Sequence, residues 1–204
     1  MYIYWYGQSS FKLQGKEAMI LLDPYSSRIA GLRGPNFKAD LIILNNSTAK
    51  SQAKKDIKEG FIIDGPGEYE SKGVFVLGIQ TKDNHLIYQI ELEDIKIGYL
   101  GEINQNLTDS EIERIDNVDV LIVPVGGKKN TLSSETAAEI IREIEPKIVI
   151  PSCYQVPGLK VQLDPVEKFL KEMGVKKMDA EDKIRLTKKE LPEDGMKIMM
   201  LKNS

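Results

Sequence analysis

Apolar residues in the first half of the chain come in short runs separated by turn residues. Tyr2–Tyr6 is aromatic and β-branched and predicts a strand. Ser10–Leu13 and Ala18–Leu22 flank Gln14-Gly15-Lys16, a glycine-containing hairpin connection. Asp23-Pro24 stops the third strand, and residues 26–36, with Gly31, Gly34 and Pro35, read as a loop. Leu41–Leu44 is a continuous apolar run and predicts a buried strand. Asn45–Ser51 is polar, and Gln52–Lys58 reads as a short basic helix. Phe61–Ile63, Gly73–Ile79, Leu86–Glu91 and Lys96–Tyr99 predict further strands, with Glu93-Asp94 turning the chain between the last two.

The second half alternates between the two periodicities. Thr108-Asp109-Ser110-Glu111 is a capping box that opens a helix reaching about Ile115. Val118–Val125 predicts a buried strand closed by Gly126-Gly127. Ser133 or Ser134 starts a helix whose apolar positions Ala137, Ile140, Ile141 and Ile144 follow helical spacing; Pro146 ends it and Lys147–Ile150 is the next strand. Asp164, Pro165 and Glu167 read as N-cap, N1 and N3 of a helix with Val166, Phe169, Leu170 and Met173 on its apolar face and Gly174 at its end. Ile184–Thr187 and Lys197–Leu201 read as a closing hairpin, with Met196, Met199 and Met200 filling a core edge.

An internal echo runs through this pattern. Ala39–Leu44 resembles Val118–Val123, and Asp23 and Glu102 each follow an apolar strand. Asp40 and Asp119 are 79 positions apart, as are Asp23 and Glu102. Two matches at one offset predict two similar β-rich halves, with the acidic strand ends beside a shared cleft.

Composition narrows the function classes. The chain has 204 residues, one cysteine (Cys153), one histidine (His85) and a net charge of −3. That length fits one domain over residues 1–204 with a sizeable core. The mild acidity speaks against polyanion binding as the main task. A single cysteine excludes an internal disulfide and, with no signal-like start, fits a cytoplasmic location. The apolar runs are far shorter than the ~20 residues of a membrane span. One histidine excludes a histidine-rich metal site.

The order of blocks resembles the metallo-β-lactamase superfamily. Tyr6-Gly7-Gln8-Ser9-Ser10-Phe11, Ile20–Pro24 and Ala39–Leu44 carry the likeness, followed by Phe61–Gly78, Gly101-Glu102, Val118–Gly127 and Ala137–Tyr154. The closest branch looks like small hydrolases akin to the ascorbate-6-phosphate lactonases. The resemblance implies an α/β fold, a four-layer αββα sandwich with two pseudo-repeated β-rich halves, and a two-zinc hydrolytic site.

The metal motif of that family departs here at each ligand. Its H-x-H-x-D-H falls on 46–51, so the liganding positions are Asn46, Thr48, Lys50 and Ser51. The bridging aspartate falls on Glu102 and the last histidine on Cys153. Zinc at a hydrolytic site needs imidazole and carboxylate donors, which lower the pKa of a bound water. Amide and hydroxyl oxygens are poor substitutes, and the Lys50 ammonium repels a cation. A Lys50–Glu102 ion pair is expected under the family fold.

The leading expectation is therefore a metal-free, non-hydrolytic protein that binds or scaffolds, with no cofactor and with a protein or small-molecule partner. The first alternative is a hydrolase with a rebuilt site holding one zinc or manganese through Glu102 and Cys153 with Asp23 or Glu68. The second is a nucleic-acid-binding module, which the charge disfavours. A homo-oligomer is compatible with either. Pro66-Gly67-Glu68-Tyr69-Glu70 is a tight turn, or it brings Glu68 and Tyr69 to the cleft mouth. Gly126-Gly127-Lys128-Lys129 is a strand-to-helix turn or an anion cradle.

Overall fold

The computed structural model describes residues 1–25, 31–45, 59–128 and 131–204. Fifteen strands are named in chain order: β1 Tyr2–Gly7, β2 Ser10–Gln14, β3 Met19–Leu22, β4 Leu41–Ile43, β5 Phe61–Ile63, β6 Gly67–Ser71, β7 Val74–Gln80, β8 Leu86–Leu92, β9 Ile95–Tyr99, β10 Val120–Pro124, β11 Ile148–Ser152, β12 Ala180–Glu181, β13 Ile184–Arg185, β14 Lys197–Ile198 and β15 Met200–Leu201. Among the described residues the α-helices are α1 Asp109–Arg114, α2 Ser134–Ile144 and α3 Val166–Glu172. The strands form two large sheets: sheet A in the order β13-β1-β2-β3-β4-β5, and sheet B in the order β14-β11-β10-β9-β8-β7-β6. This is the expected α/β sandwich. Among the described residues no helix is long and apolar enough to cross a membrane.

The inner faces of the two sheets make the core. Along β1, Ile3 and Trp5 are buried while Tyr2, Tyr4 and Tyr6 are half-buried, the period-two alternation of a strand with one face inward. Trp5 packs on Phe11, with ring centroids 6.2 Å apart, and on Tyr154 at 4.6 Å. The central strands β10 and β11 are buried on both faces, which is why they read as unbroken apolar runs.

The internal echo is a structural repeat. β1-β2-β3-β4-β5 and β7-β8-β9-β10-β11 share one pairing order: two antiparallel contacts followed by two parallel ones. Asp40 and Asp119 hold equivalent places in it. Asp40 donates its N–H to the Met19 carbonyl at 2.8 Å and accepts the Met19 N–H on Oδ2 at 2.8 Å. Asp119 does the same with Lys96, at 2.8 and 3.0 Å. Asp23 and Glu102 are not equivalent. The Asp23 N–H donates to Ile43 O, and its counterpart, donating to Ile122 O, is Leu100.

Local signals place the helices. Glu111 accepts the Thr108 N–H at 2.7 Å, as a capping box requires, and also the Lys82 N–H at 2.7 Å. Ser133 caps α2 by accepting the Thr136 N–H at 3.1 Å, and Glu145 ends that helix at φ 51°. α2 and α3 pack together and are joined by Arg142–Glu172 at 3.7 Å.

Three expectations are corrected. The N-cap of α3 is Pro165, not Asp164. Asp164 is instead pinned by its own backbone, donating to Gly126 O at 2.7 Å and accepting from Gln155 N at 3.0 Å, while its carboxylate meets Lys168 and Lys128. The closing hairpin does not form. β13 pairs antiparallel with β1, β14 parallel with β11 and β15 parallel with β12, because each short strand serves a different open edge. Met200 is buried there, but Met196 is exposed. Finally, Gly67–Ser71 is a strand as well as the exit of a turn, and it edges sheet B against β7. The helix expected at Gln52–Lys58 lies outside the described residues.

Candidate functional site

The carboxyl ends of β1, β3, β4, β9 and β11 converge. Three non-glycine residues there sit at positive φ: Gln8 at 48°, Asp23 at 38° and Cys153 at 54°. Such backbone is unfavourable for residues with a Cβ and is concentrated at functional sites. The three are held by their surroundings. Gln8 O accepts from Cys153 N at 3.2 Å and from the Trp5 indole N–H at 2.8 Å.

Asp23 is the centre of the cluster and is 2% exposed. Its Oδ1 accepts the Asn45 N–H at 2.6 Å, and its Oδ2 accepts the Tyr99 hydroxyl, which also reaches Ser9 O at 2.8 Å. Ser9 Oγ donates to Glu102 Oε1 at 3.1 Å. The Glu102 N–H donates to Asn45 Oδ1 at 3.3 Å, and Asn45 Nδ2 donates to Leu86 O and, at 3.2 Å, to Leu100 O. Gly101, at φ 61°, must be glycine. A Cβ there would lie 2.2 Å from the Asn45 side chain.

Burial dominates the electrostatics. It pushes the Asp23 carboxyl up to about 7, against the hydrogen bonds of Asn45, Tyr99 and Ser9 and with the help of the Glu102 charge. Burial also raises Glu102, which Ser9 partly offsets. The Cys153 thiol is raised by burial and by the neighbouring charges of Glu102 and Asp23. It is 1% exposed and, among the described residues, accepts a hydrogen bond only from Ser152 Oγ, at 3.8 Å. The site therefore holds protons well and holds a thiolate badly, the opposite of what a nucleophilic cysteine needs.

The described part of this donor set does not fit a zinc ion. Among the described residues no three of His, Cys, Asp and Glu are grouped to hold a metal. Both Asp23 oxygens already accept hydrogen bonds. His85 belongs to the β7–β8 connection, where its carbonyl accepts the Thr81 N–H at 2.9 Å.

Of the residues predicted for the site, Glu102 and Cys153 come together with Asp23. Asn46, Thr48, Lys50 and Ser51 lie outside the described residues, and so does the expected Lys50–Glu102 pair. Glu68 is exposed on β6. Tyr69 turns its hydroxyl back to Gly65 O and Pro66 O, each at 3.3 Å, and packs 6.3 Å from Phe61. The Gly126-Gly127-Lys128-Lys129 cradle is filled from within as far as Lys128, and Lys129 lies outside the described residues. Gly127 N–H donates to Leu132 O, Lys128 N–H to Thr131 Oγ1, and Asp164 lies where a Gly127 side chain would be. Sequence reasoning missed Asn45 and Tyr99. Tyr99 ends an apolar strand and reads as core, since nothing local marks a partner 76 residues away.

Comparison with known proteins agrees with this geometry. The profile of the beta-lactamase superfamily domain matches residues 2–153. A UPF0173 protein of Pyrococcus furiosus is 28% identical over 204 aligned positions, covering 85% of this chain and 90% of that protein. The crystal structure of a proposed zinc-dependent hydrolase of the metallo-β-lactamase superfamily from Thermotoga maritima is 30% identical, covers 98% of each chain and superposes with a TM-score of 0.82. The metallo-β-lactamase fold protein YhfI of Bacillus subtilis shares the fold at 12% identity, with a TM-score of 0.65 over 99% of this chain and 97% of that one.

Proposed function

Because the chain belongs to the beta-lactamase superfamily, whose matched structures include hydrolases, we propose that it has left hydrolysis and acts as a metal-free binding or scaffolding protein, one domain working in the cytoplasm. One observation carries this reading. The converging strand ends hold a buried group, Asp23, Tyr99, Glu102 and Cys153, in which both Asp23 oxygens and Glu102 Oε1 already accept hydrogen bonds, and the chain's one imidazole belongs to a connecting turn. Buried carboxyl and thiol groups whose pKa values burial raises recognise hydrogen-bonding partners, and without a metal they do not ionise a water. A protein or small polar molecule presented at this end of the sandwich is the expected partner.

The test is the metal content of the untagged full chain by mass spectrometry, followed by calorimetric titration with zinc and manganese. Stoichiometry near zero and no heat are expected. About one tightly held metal per chain overturns the reading in favour of a rebuilt hydrolase. Glu102→Gln and Cys153→Ser then identify the ligands by loss of that metal.

A further inference from the structure

Two sheet edges lie side by side on one flank of the sandwich, and they differ in kind. β5 ends sheet A and β6 ends sheet B. Residues 64–66 join them, and the Phe61 and Tyr69 rings meet 6.3 Å apart across the gap. β6 carries Glu68 and Glu70, both exposed. β5, Phe61-Ile62-Ile63, carries no charge. The edges at the other ends of the two sheets are charged as well, through Arg185 on β13 and Lys197 on β14. An edge strand presents a row of N–H and C=O groups, and charge is the usual device that keeps a second strand off it. Among the described edges of the two large sheets, β5 alone lacks that device.

The backbone of β5 shows which groups face outward. The Phe61 N–H donates to Asp40 O at 2.8 Å and Ile63 O accepts the Leu44 N–H at 2.9 Å, so residues 61 and 63 turn their peptide groups to β4. Ile62, between them, turns its N–H and C=O to the open side of the sheet. Phe61 is the most exposed large apolar side chain among the described residues, at 51%. Antiparallel pairing of β5 with a second copy of itself, centred on Ile62, answers both features. The two Ile62 residues exchange both hydrogen bonds, and each Phe61 lies opposite Ile63 of the other copy in the closer, non-hydrogen-bonded pair. The flanking acids stay apart, since that register sets Glu59 against Gly65 and Asp64 against Gly60. β6 is ill suited to the same pairing: centred on Tyr69, it sets Glu68 against Glu70 twice.

We propose that the chain forms a two-fold dimer through β5, in which the two copies of sheet A join edge to edge into one continuous sheet. The paired segment is short and adds one exposed ring, well below the ~1,200 Å² that a standard interface buries, so the dimer is weak, with a Kd on the order of 10–100 µM. β3, β4 and β5 run parallel, and Asp23 and Asn45 follow the carboxyl ends of β3 and β4. Antiparallel joining points these ends opposite ways. The dimer therefore carries its two acid clusters at opposite ends of the joined sheet, whatever those clusters bind.

Sedimentation velocity of the full chain from about 5 to about 500 µM tests this, together with amide exchange read by NMR. A monomer–dimer equilibrium is expected. At about ten times its Kd the Ile62 amide exchanges about 5-fold more slowly than in dilute protein, while the Phe61 amide, bonded within the sheet, does not change. Phe61→Lys places a charge on the edge and raises the Kd by about 10-fold or more, and the variant still unfolds cooperatively. A monomer across the whole range overturns the proposal. So does a dimer that ignores Phe61→Lys, or one in which the Ile62 amide gains no protection, since either puts the contact elsewhere. The exchange measurement needs no substitution, so it decides the matter even where Phe61→Lys does not fold.

Discussion

Replacing Asp23 by asparagine should remove a pH dependence of stability that the buried carboxyl creates. Its folded pKa is raised to about 7 from the ordinary 3.8. The folded state therefore binds the proton more tightly than the unfolded chain. The resulting stability is fully present below about pH 4 and is lost as pH rises through about 7. The full loss is on the order of 4 kcal/mol, and more than half of it falls between pH 5 and 8. Glu102, also raised by burial, adds a smaller slope of the same sign. The carboxylates held below their ordinary range, Asp40, Asp119 and Asp164 among them, act in the opposite sense: they lose stability as pH falls through their own pKa values. Asparagine suits the position because it imitates the protonated acid. Its oxygen can accept the Asn45 N–H, and its amide can donate to Tyr99 Oη while the Tyr99 hydroxyl donates to Ser9 O. Urea denaturation of both proteins from pH 5 to 8 is the assay. Wild-type stability that stays flat or rises over that range refutes the reasoning, as does an Asp23→Asn protein that keeps the full slope.

Three further outcomes follow from the same contacts. Asp119→Ala should destabilise by about 2–4 kcal/mol, because the buried carboxylate accepts the Lys96 N–H and pairs with Lys188 and Lys147; urea melts measure it, and a change below about 1 kcal/mol would contradict the clamp. Gly101→Ala should cost about 2 kcal/mol or more, since φ is 61° and the new Cβ would strike the Asn45 side chain, and a wild-type melting temperature would disprove it. Cys153 should resist iodoacetamide in the native protein and react on unfolding, as followed by intact mass; rapid native labelling would show an accessible thiolate.

Much of the sandwich was readable along the chain because its central strands are unbroken apolar runs and its helices carry strong caps. The Asp40–Asp119 echo was readable for a chemical reason: each aspartate ties off two parallel strands, so the residue type is constrained at both places. The two-residue strands β13, β14 and β15 were not, since pairs that short take their partners from distant edges and leave no local period. β6 was hidden by its polarity, as Gly67–Ser71 is an edge strand whose outward residues are glutamates. At the site, Asp23 and Glu102 could be named from their places after apolar strands, and Cys153 from the family resemblance alone. Asn45 and Tyr99 could not, because their roles rest on contacts across 41 and 76 residues.

The repeated aspartate clamp bears on how the protein assembles. Each clamp seals the point where one parallel strand is laid beside its predecessor, using the predecessor's own first backbone groups. A hairpin-plus-crossover unit closed in this way can form most of its hydrogen bonds before it meets the other unit. The repeat thus allows two folding units of like topology, with docking of one pleated face on the other as the closing event. The cluster around Asp23 draws its partners from both halves, so on such a route it would be completed last and would report the native state.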